Sequence, residues 1–262
     1  MHLELTPTER DRYATNGFVV RESVFPTDEL ARIAASCEEV IEGLGGGGER
    51  KEAGPYTFSY DDHGVVVKWE GTSDVVLGIE PLPPHADVLA WARDPRLRVP
   101  SSELISSDDV TLFTEKLNLK RAGAGRAGAD STIALHQDQP YWTEYARDVD
   151  RIVTAVLHID GATVENGCLE VVPGSHIQGA QPSSDRDAGH KEMAEEGWLE
   201  RLVPVPAPAG SVIFFGPYLV HRSGTNRSSG DRRALLFSYQ PAGYPHARDG
   251  ITRRWGDRQL SA

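Results

Sequence analysis

Cysteine is nearly absent from this chain: its 262 residues contain two, Cys37 and Cys168, far apart in sequence. Neither has the spacing of a zinc ribbon or a redox pair, and two lone thiols suit a reducing cytosol. Positive charge is also short, with 27 Lys and Arg against 39 Asp and Glu and a net charge of −12. That balance argues against nucleic acid and anionic membrane surfaces as partners. Long apolar runs are missing, none approaching the ~18 residues of a membrane span. The opening Met1-His2-Leu3-Glu4 lacks the basic-then-apolar pattern of a secretory leader. A cytoplasmic location is therefore expected.

Several familiar motifs are absent or misplaced. Gly123-Ala124-Gly125-Arg126-Ala127-Gly128 matches GxGxxG, but a strand beginning at Ile133 follows too soon for the helix that would receive a pyrophosphate. Gly45 to Lys51 ends in Arg-Lys, so it is no phosphate-binding loop. Pro173-Gly174-Ser175-His176 is not the GxSxG elbow of a hydrolase. Asn226-Arg227-Ser228 fits a glycosylation sequon that would be inert in the cytosol.

Local pattern predicts a mainly β protein with helices early in the chain. Thr6-Pro7-Thr8-Glu9 is a capping box, and Asn16-Gly17 should end the helix it starts. Phe18-Val19-Val20 reads as a strand. Apolar residues at 30, 33, 34, 37, 40, 41 and 44 form a helical stripe, stopped by Gly45 to Gly48. Alternating Tyr56, Phe58 and Tyr60 suit either an edge hairpin or a lid facing ligand. A further helix is expected from Ala86 to Arg93, with Pro95 stopping it. From Thr111, eight candidate strands (111–120, 132–138, 151–159, 168–172, 201–205, 211–215, 218–222 and 233–240) are separated by turn residues. Asn166-Gly167 predicts a hairpin with a type I′ turn. The expected architecture is one domain over 1–262 with a double-stranded β-helix (jelly roll, cupin-like) core at 111–240. Residues 1–110 would supply helical support and a lid region, 178–200 an insertion or lid, and 241–262 a tail.

Within that core, Ala134-Leu135-His136-Gln137-Asp138-Gln139-Pro140-Tyr141-Trp142 sets a histidine and an aspartate two residues apart. On an extended strand residues i and i+2 share a face, so His136 and Asp138 would grip one divalent metal of any kind. His221 opens a polar burst, His221-Arg222-Ser223-Gly224-Thr225-Asn226, where a deeply set imidazole is costly without a partner. Eleven residues on, Arg232-Arg233 opens the last apolar strand, and an arginine entering a barrel strand needs an anion such as a carboxylate. Two His and one carboxylate on one side leave the other positions open, as in non-haem Fe(II) oxygenases, although zinc also accepts such ligands. The arginine favours iron, because a 2-oxo acid can chelate iron at one end and meet a guanidinium at the other.

The remaining histidines among the nine read differently. His2, His63, His85, His190 and His246 lie in polar or terminal contexts and are expected at the surface. His158, in Val156-Leu157-His158-Ile159, reads as a sheet-face histidine with its hydrogen bonds satisfied. His176 reads as a turn cap.

From Thr111 to Tyr239 the chain resembles the phytanoyl-CoA dioxygenase family of Fe(II)/2-oxoglutarate-dependent oxygenases. The matching pieces are His136-Gln137-Asp138-Gln139-Pro140-Tyr141-Trp142, Glu165 to His176, and His221 to Asn226 with Arg232 at the family's spacing. The resemblance implies that His136, Asp138 and His221 bind iron. It implies that Arg232 and Ser223 hold the distal carboxylate of 2-oxoglutarate, with Asn118 and Lys120 as further contacts. Val156 stands where some members have a tryptophan beside the cosubstrate. The implied reaction consumes O2, decarboxylates 2-oxoglutarate to succinate and removes a substrate hydrogen. Related halogenases replace the carboxylate ligand with Gly or Ala, so Asp138 speaks against halogenation.

The expected substrate is a small molecule. Aromatic residues at 56, 58, 60, 69, 141, 142 and 198 suggest a partly apolar or cyclic one, with Tyr56, Phe58, Tyr141, Trp142 and Trp198 as pocket candidates. No basic cluster marks a CoA diphosphate site. The Ala/Gly/Arg-rich, lysine-poor composition resembles that of high-GC bacteria, where many such enzymes tailor natural products. Hydroxylation is the expected outcome. Epimerisation, cyclisation or desaturation at the same site, and a non-catalytic binding jelly roll, are the alternatives.

Overall fold

The computed structural model describes residues 2–44, 49–53, 56–61, 64–83, 86–122, 132–182 and 197–247. His63, His85 and His190, the glycine motif at 123–128, most of the expected insertion and most of the expected tail lie outside these residues. Among the described residues no helix is long and apolar enough to cross a membrane.

The N-terminal helix α1 (Pro7–Asn16) begins at the capping box: the Glu9 backbone N–H donates to the Thr6 hydroxyl, and the Thr6 N–H donates to the Glu9 carboxylate. Gly17, at φ +85°, closes it in the left-handed conformation. β1 (Phe18–Arg21) follows, then α2 (Thr27–Glu42), whose apolar stripe buries Leu30, Ile33, Cys37 and Val40.

Residues 50–80, expected to be support or lid, form a four-stranded antiparallel meander, β2 (Arg50–Ala53), β3 (Tyr56–Tyr60), β4 (Val66–Glu70) and β5 (Val76–Glu80). The β3 alternation is inverted relative to the aromatic pattern. Thr57 and Ser59 are buried, because Trp69 of β4 fills that face and its indole N–H donates to the Ser59 hydroxyl at 2.9 Å. Tyr56 instead carries the Lys68 ammonium 3.4 Å from its ring centroid.

Pro95 also behaves differently from expectation. It occupies the first turn of α3 (Pro95–Leu104), where its missing N–H is harmless, and the Asp94 carboxylate caps the helix by accepting from the Arg96 N–H. The stretch before it, Asp87–Arg93, is a 3₁₀ helix.

The remaining strands are divided between two sheets. β6 (Val110–Lys120), β8 (Val153–His158), β11 (Val212–Phe215) and β13 (Arg232–Pro241) join β1 to β5 in a nine-stranded sheet ordered β1-β11-β8-β13-β6-β5-β4-β3-β2. β7 (Ile133–His136), β9 (Leu169–Val171), β10 (Val203–Val205) and β12 (His221–Ser223) form the smaller sheet, ordered β10-β9-β12-β7. Crossing from one sheet to the other at every step from β6 on, except β9 to β10, makes the expected double-stranded β-helix. It also overturns the Asn166-Gly167 hairpin, since β8 and β9 belong to different sheets. The turn there is held locally, with the Thr163 N–H donating to the Asn166 side chain at 2.7 Å.

Period-two alternation gives the large sheet two different faces. Val153, Ala155 and Leu157 of β8, with Leu235, Phe237 and Tyr239 of β13, join the core that α2 and the 3₁₀ helix cover. The residues between them face the other way, into the space between the sheets. His246, expected at the surface, is buried at 2% exposure, where its Nε2 lies 2.9 Å from the Glu115 carboxylate.

Gly167 (φ +76°) packs against backbone: a Cβ there would lie 2.1 Å from the Gly224 carbonyl oxygen. Gly179 has a similar φ of +69° and open space around it. With ψ −156° Gly179 lies outside the left-handed helical region, so Gly179→Ala should cost ~1–3 kcal/mol of backbone strain and no clash. Gly167→Ala should cost clearly more, read as the difference between the two urea-unfolding midpoints.

Candidate active site

The site is built where the small sheet meets a helical turn. His136 is the last residue of β7, and β12 begins with His221 directly opposite it in antiparallel register. Cross-strand partners on one face lie close, and the two imidazole centroids are 4.1 Å apart. Asp138 does not continue the strand as expected. Its backbone is helical (φ −75°, ψ −27°) and it leads into the short helix α4 (Gln139–Trp142). The turn still returns the carboxylate to the histidine, with Asp138 Oδ1 3.5 Å from His136 Nε2. One donor atom from each of His136, Asp138 and His221 falls within 4.8 Å of the others.

The orientation of both rings is set by backbone carbonyls. His136 Nδ1 lies 2.8 Å from the Ala134 oxygen, and His221 Nδ1 lies 2.9 Å from the Leu219 oxygen. A carbonyl only accepts, so the neutral ring carries its proton on Nδ1 and aims the Nε2 lone pair at the shared space. Burial, then the neighbouring His136, pushes the His221 pKa down to about 4. Burial pushes the Asp138 carboxyl up, but the adjoining His136, then His221 and Lys116, outweigh it and hold the group low. Two nitrogen lone pairs and a carboxylate facing one another repel unless a cation lies between them. The donor set therefore fits a divalent metal gripped from one side.

The residue between the ligands also has a task. Gln137 is fully buried; its amide donates to the carbonyls of Gly179 and Tyr218 at 3.0 and 2.7 Å and its oxygen accepts from the Gln181 N–H. It ties the ligand-bearing turn to two other loops.

A second constellation lies between the inner faces of the two sheets. Arg232 opens β13 and is 4% exposed, while Arg233 points the opposite way to Asp160 and Glu38. Ser223 lies two residues after His221 on the same face of β12. Among the described residues the Arg232 Nε, the Ser223 hydroxyl and both nitrogens of His158 are buried without a hydrogen-bond partner. Native proteins leave few such groups unmatched, at ~1–3 kcal/mol each, unless a ligand completes them. Burial holds the Arg232 pKa down to about 10, and burial with Arg232's charge holds His158 down to about 3. His158 thus contradicts its expected reading: it is on the sheet face but not satisfied.

Both constellations open into one cavity of about 340 Å³, which Asn118, Tyr141 and Trp142 also line. Tyr141 stands edge-on to His136, and Trp142 packs on Phe113. Four expected residues lie elsewhere. Lys120 is buried but spends its ammonium on the Gly224 carbonyl at 2.6 Å. Tyr56 and Phe58 sit on β3 outside the cavity wall, the Tyr56 hydroxyl donating to the Thr132 carbonyl. Trp198 is core, packed with Leu135, Val172 and Val220 behind the small sheet.

Sequence reasoning missed Lys116, whose ammonium lies 2.9 Å from the Glu80 carboxylate in the cavity wall. Its parity with Asn118 on β6 was a usable signal. It also missed Asn226, buried inside the inert-looking sequon, which donates to the Lys120 and Gly230 carbonyls and fixes the chain ahead of Arg232.

The family model described as phytanoyl-CoA dioxygenase (PhyH) matches residues 13–234. The chain belongs to the phytanoyl-CoA dioxygenase family. It is 27% identical over 244 residues to the dioxygenase lolE1 of Epichloe uncinata, covering 91% of this chain and 84% of that protein. With methylphosphonate hydroxylase of Gimesia maris it shares 32% identity over 135 residues, 52% of this chain and 47% of that one. This match thus spans about half the length of that relative. The fold is shared with a crystal structure of the epimerase SnoN in complex with Fe3+, alpha ketoglutarate and nogalamycin RO. The TM-score is 0.68 at 22% identity, covering 90% of this chain and 83% of that one. A phytanoyl-CoA dioxygenase family member with these buried groups should be acid-sensitive when metal-free. His158 and His221 stay neutral in the folded state, while the unfolded chain takes up protons near 6.5. Stability is then full above about pH 6.5 and falls progressively toward about pH 4. His158→Gln should lose a smaller part of its urea-unfolding stability over that window than the wild type.

Proposed function

We propose that this protein is an Fe(II)- and 2-oxoglutarate-dependent oxygenase that hydroxylates a C–H bond of a small polar molecule. The observation that carries this reading is the meeting, in one cavity, of a His-Asp-His donor face and a buried, unmatched cradle for an anion.

His136, Asp138 and His221 would hold the metal from one side. Arg232 and Ser223 would take the distal carboxylate of 2-oxoglutarate, with Asn118 on the same face of the large sheet as Arg232. When bound, iron with 2-oxoglutarate and O2 supplies the oxidising chemistry: decarboxylation of the oxo acid to succinate, coupled to removal of a hydrogen from the substrate. The protein's part is orientation. The Ala134 and Leu219 carbonyls fix both imidazoles, Gln137 fixes the turn, and burial excludes water from the groups that bind charge.

The cavity wall supports a polar substrate over the partly apolar or cyclic one expected. Of the seven aromatic residues behind that expectation, only Tyr141 and Trp142 line the cavity. The wall instead offers the Lys116–Glu80 pair, about one third and two fifths exposed, with Thr114 and Ser238. Lys116 feels the Asp138 charge, so the pair lies near the metal ligands. A volume of about 340 Å³ is at the small end of ligand pockets (~300–1,000 Å³) and is shared with the cosubstrate. A small molecule with an anionic group for Lys116 and a donor for Glu80 fits this wall, and the similarity to a methylphosphonate hydroxylase is in keeping with it. Natural-product tailoring in a bacterial cytosol is supported by composition, by two unpaired buried thiols and by the likeness to SnoN.

The likeness to an epimerase keeps a second outcome in view, removal of the hydrogen without transfer of a hydroxyl. Product mass separates the two: hydroxylation adds one oxygen, epimerisation adds nothing, and cyclisation or desaturation removes two hydrogens.

The purified protein with Fe(II) should convert 2-oxoglutarate to succinate and CO2 only in the presence of O2. His136→Ala should lower that rate by more than the ~10–100-fold that loss of an outer partner costs a metal site. Lys116→Gln should raise the substrate KM with little change in kcat, the mark of lost ground-state binding. Succinate formation that is independent of O2, or equal in His136→Ala, would contradict the reading.

A further inference from the structure

His158 is the residue whose surroundings are least explained by packing. It is 1% exposed on the inner face of β8, and neither ring nitrogen has a partner among the described residues. Core histidines ordinarily satisfy at least one nitrogen, because a buried polar group without a partner destabilises the fold. The metal does not account for it, since the donor cluster is His136, Asp138 and His221.

Register shows what His158 faces. It lies opposite Ala234 on β13, and Ala234 lies opposite Asn118 on β6, so a small side chain separates His158 from Asn118 along one row. Arg232 is two residues before Ala234 on the same face, a diagonal neighbour of His158. Its charge reaches the imidazole and, with burial, keeps the ring neutral at ordinary pH. Val156, the preceding residue on this face, is apolar and offers no donor.

Three buried side chains with unmatched polar atoms, His158, Arg232 and Ser223, therefore line the same cavity from three different strands. We propose that His158 is a cosubstrate-binding residue, whose neutral imidazole donates a third hydrogen bond to the carboxylate held by Arg232 and Ser223. The inference rests on the oxygenase reading above. A neutral donor beside a guanidinium adds direction without adding a second buried cation. The contact would select 2-oxo acids that carry a distal carboxylate.

The test uses full-length protein loaded with Co(II) and equilibrium binding by calorimetry. The probes are 2-oxoglutarate and 2-oxobutyrate, which share the chelating end but differ in the distal carboxylate. His158→Leu should weaken 2-oxoglutarate binding roughly tenfold, as expected for a lost hydrogen bond to a charged group, and leave 2-oxobutyrate unchanged. His158→Gln, which keeps an N–H donor, should recover most of the affinity. Equal weakening of both acids, or no weakening, would overturn the assignment. On Zn(II)-loaded wild type, which avoids any folding defect of the variants, the His158 imidazole N–H resonance should move on adding 2-oxoglutarate and not 2-oxobutyrate. An unmoved resonance would also overturn it. If the wild type binds neither acid, the oxygenase reading itself fails, an outcome distinct from a His158 variant that binds like wild type.

Discussion

The pairing of β12 with β7 is the constraint on which the rest of the site depends. It sets His221 opposite His136, so that two imidazoles from residues 85 positions apart in sequence share one face. A one-residue slip of a strand would turn its side chains to the other face and separate the pair. Several contacts hold this register from outside. β12 is flanked on its other edge by β9, and Arg222 bonds Glu170 of that strand at 2.7 Å. Gly167 lets the turn before β9 close onto the Gly224 backbone, and Lys120 secures the same carbonyl from the large sheet. The strand bearing His221 and Ser223 is thereby gripped from both sheets.

The large sheet then divides its two faces between stability and chemistry. Its outer face packs Leu, Val, Phe and Tyr side chains under the helices and supplies the apolar burial that folds the domain. Its inner face carries Thr154 and Ser238, hydrogen-bonded to each other, and His158 and Arg232, which hold unmatched polar atoms among the described residues, in a cavity that the same fold shapes. Such groups weaken the empty protein and favour a ligand that completes them, a division expected where function is placed on a rigid scaffold.

Much of this was legible in the sequence, for identifiable reasons. The jelly-roll core was readable because eight short apolar runs are punctuated by turn residues, and the candidate cluster of His136, Asp138 and His221 because three motifs occur in order. Arg232 was readable from an apolar strand that opens with a charge. What was not legible depended on neighbours in space. The aromatics of β3 point away from the core because Trp69, on the adjacent strand, occupies the inner side. Pro95 starts a helix because Asp94 caps it. Asn166-Gly167 turns the chain from one sheet to the other, which turn chemistry alone does not distinguish from a hairpin. Asp138 reaches His136 through a helical turn, so the HxD spacing was informative although the strand geometry behind it was not. His158 looked ordinary because a single strand does not reveal which buried groups will lack partners.

The central claim is that one cavity holds a metal from one side and a 2-oxo acid across the remaining positions. The most direct measurement is an anaerobic visible-absorbance titration of the Fe(II)-loaded protein with 2-oxoglutarate. The account predicts a weak charge-transfer band that saturates at one 2-oxoglutarate per bound iron and is lost in His221→Ala. Absence of the band in the wild type, or a band that survives His221→Ala unchanged, would contradict it.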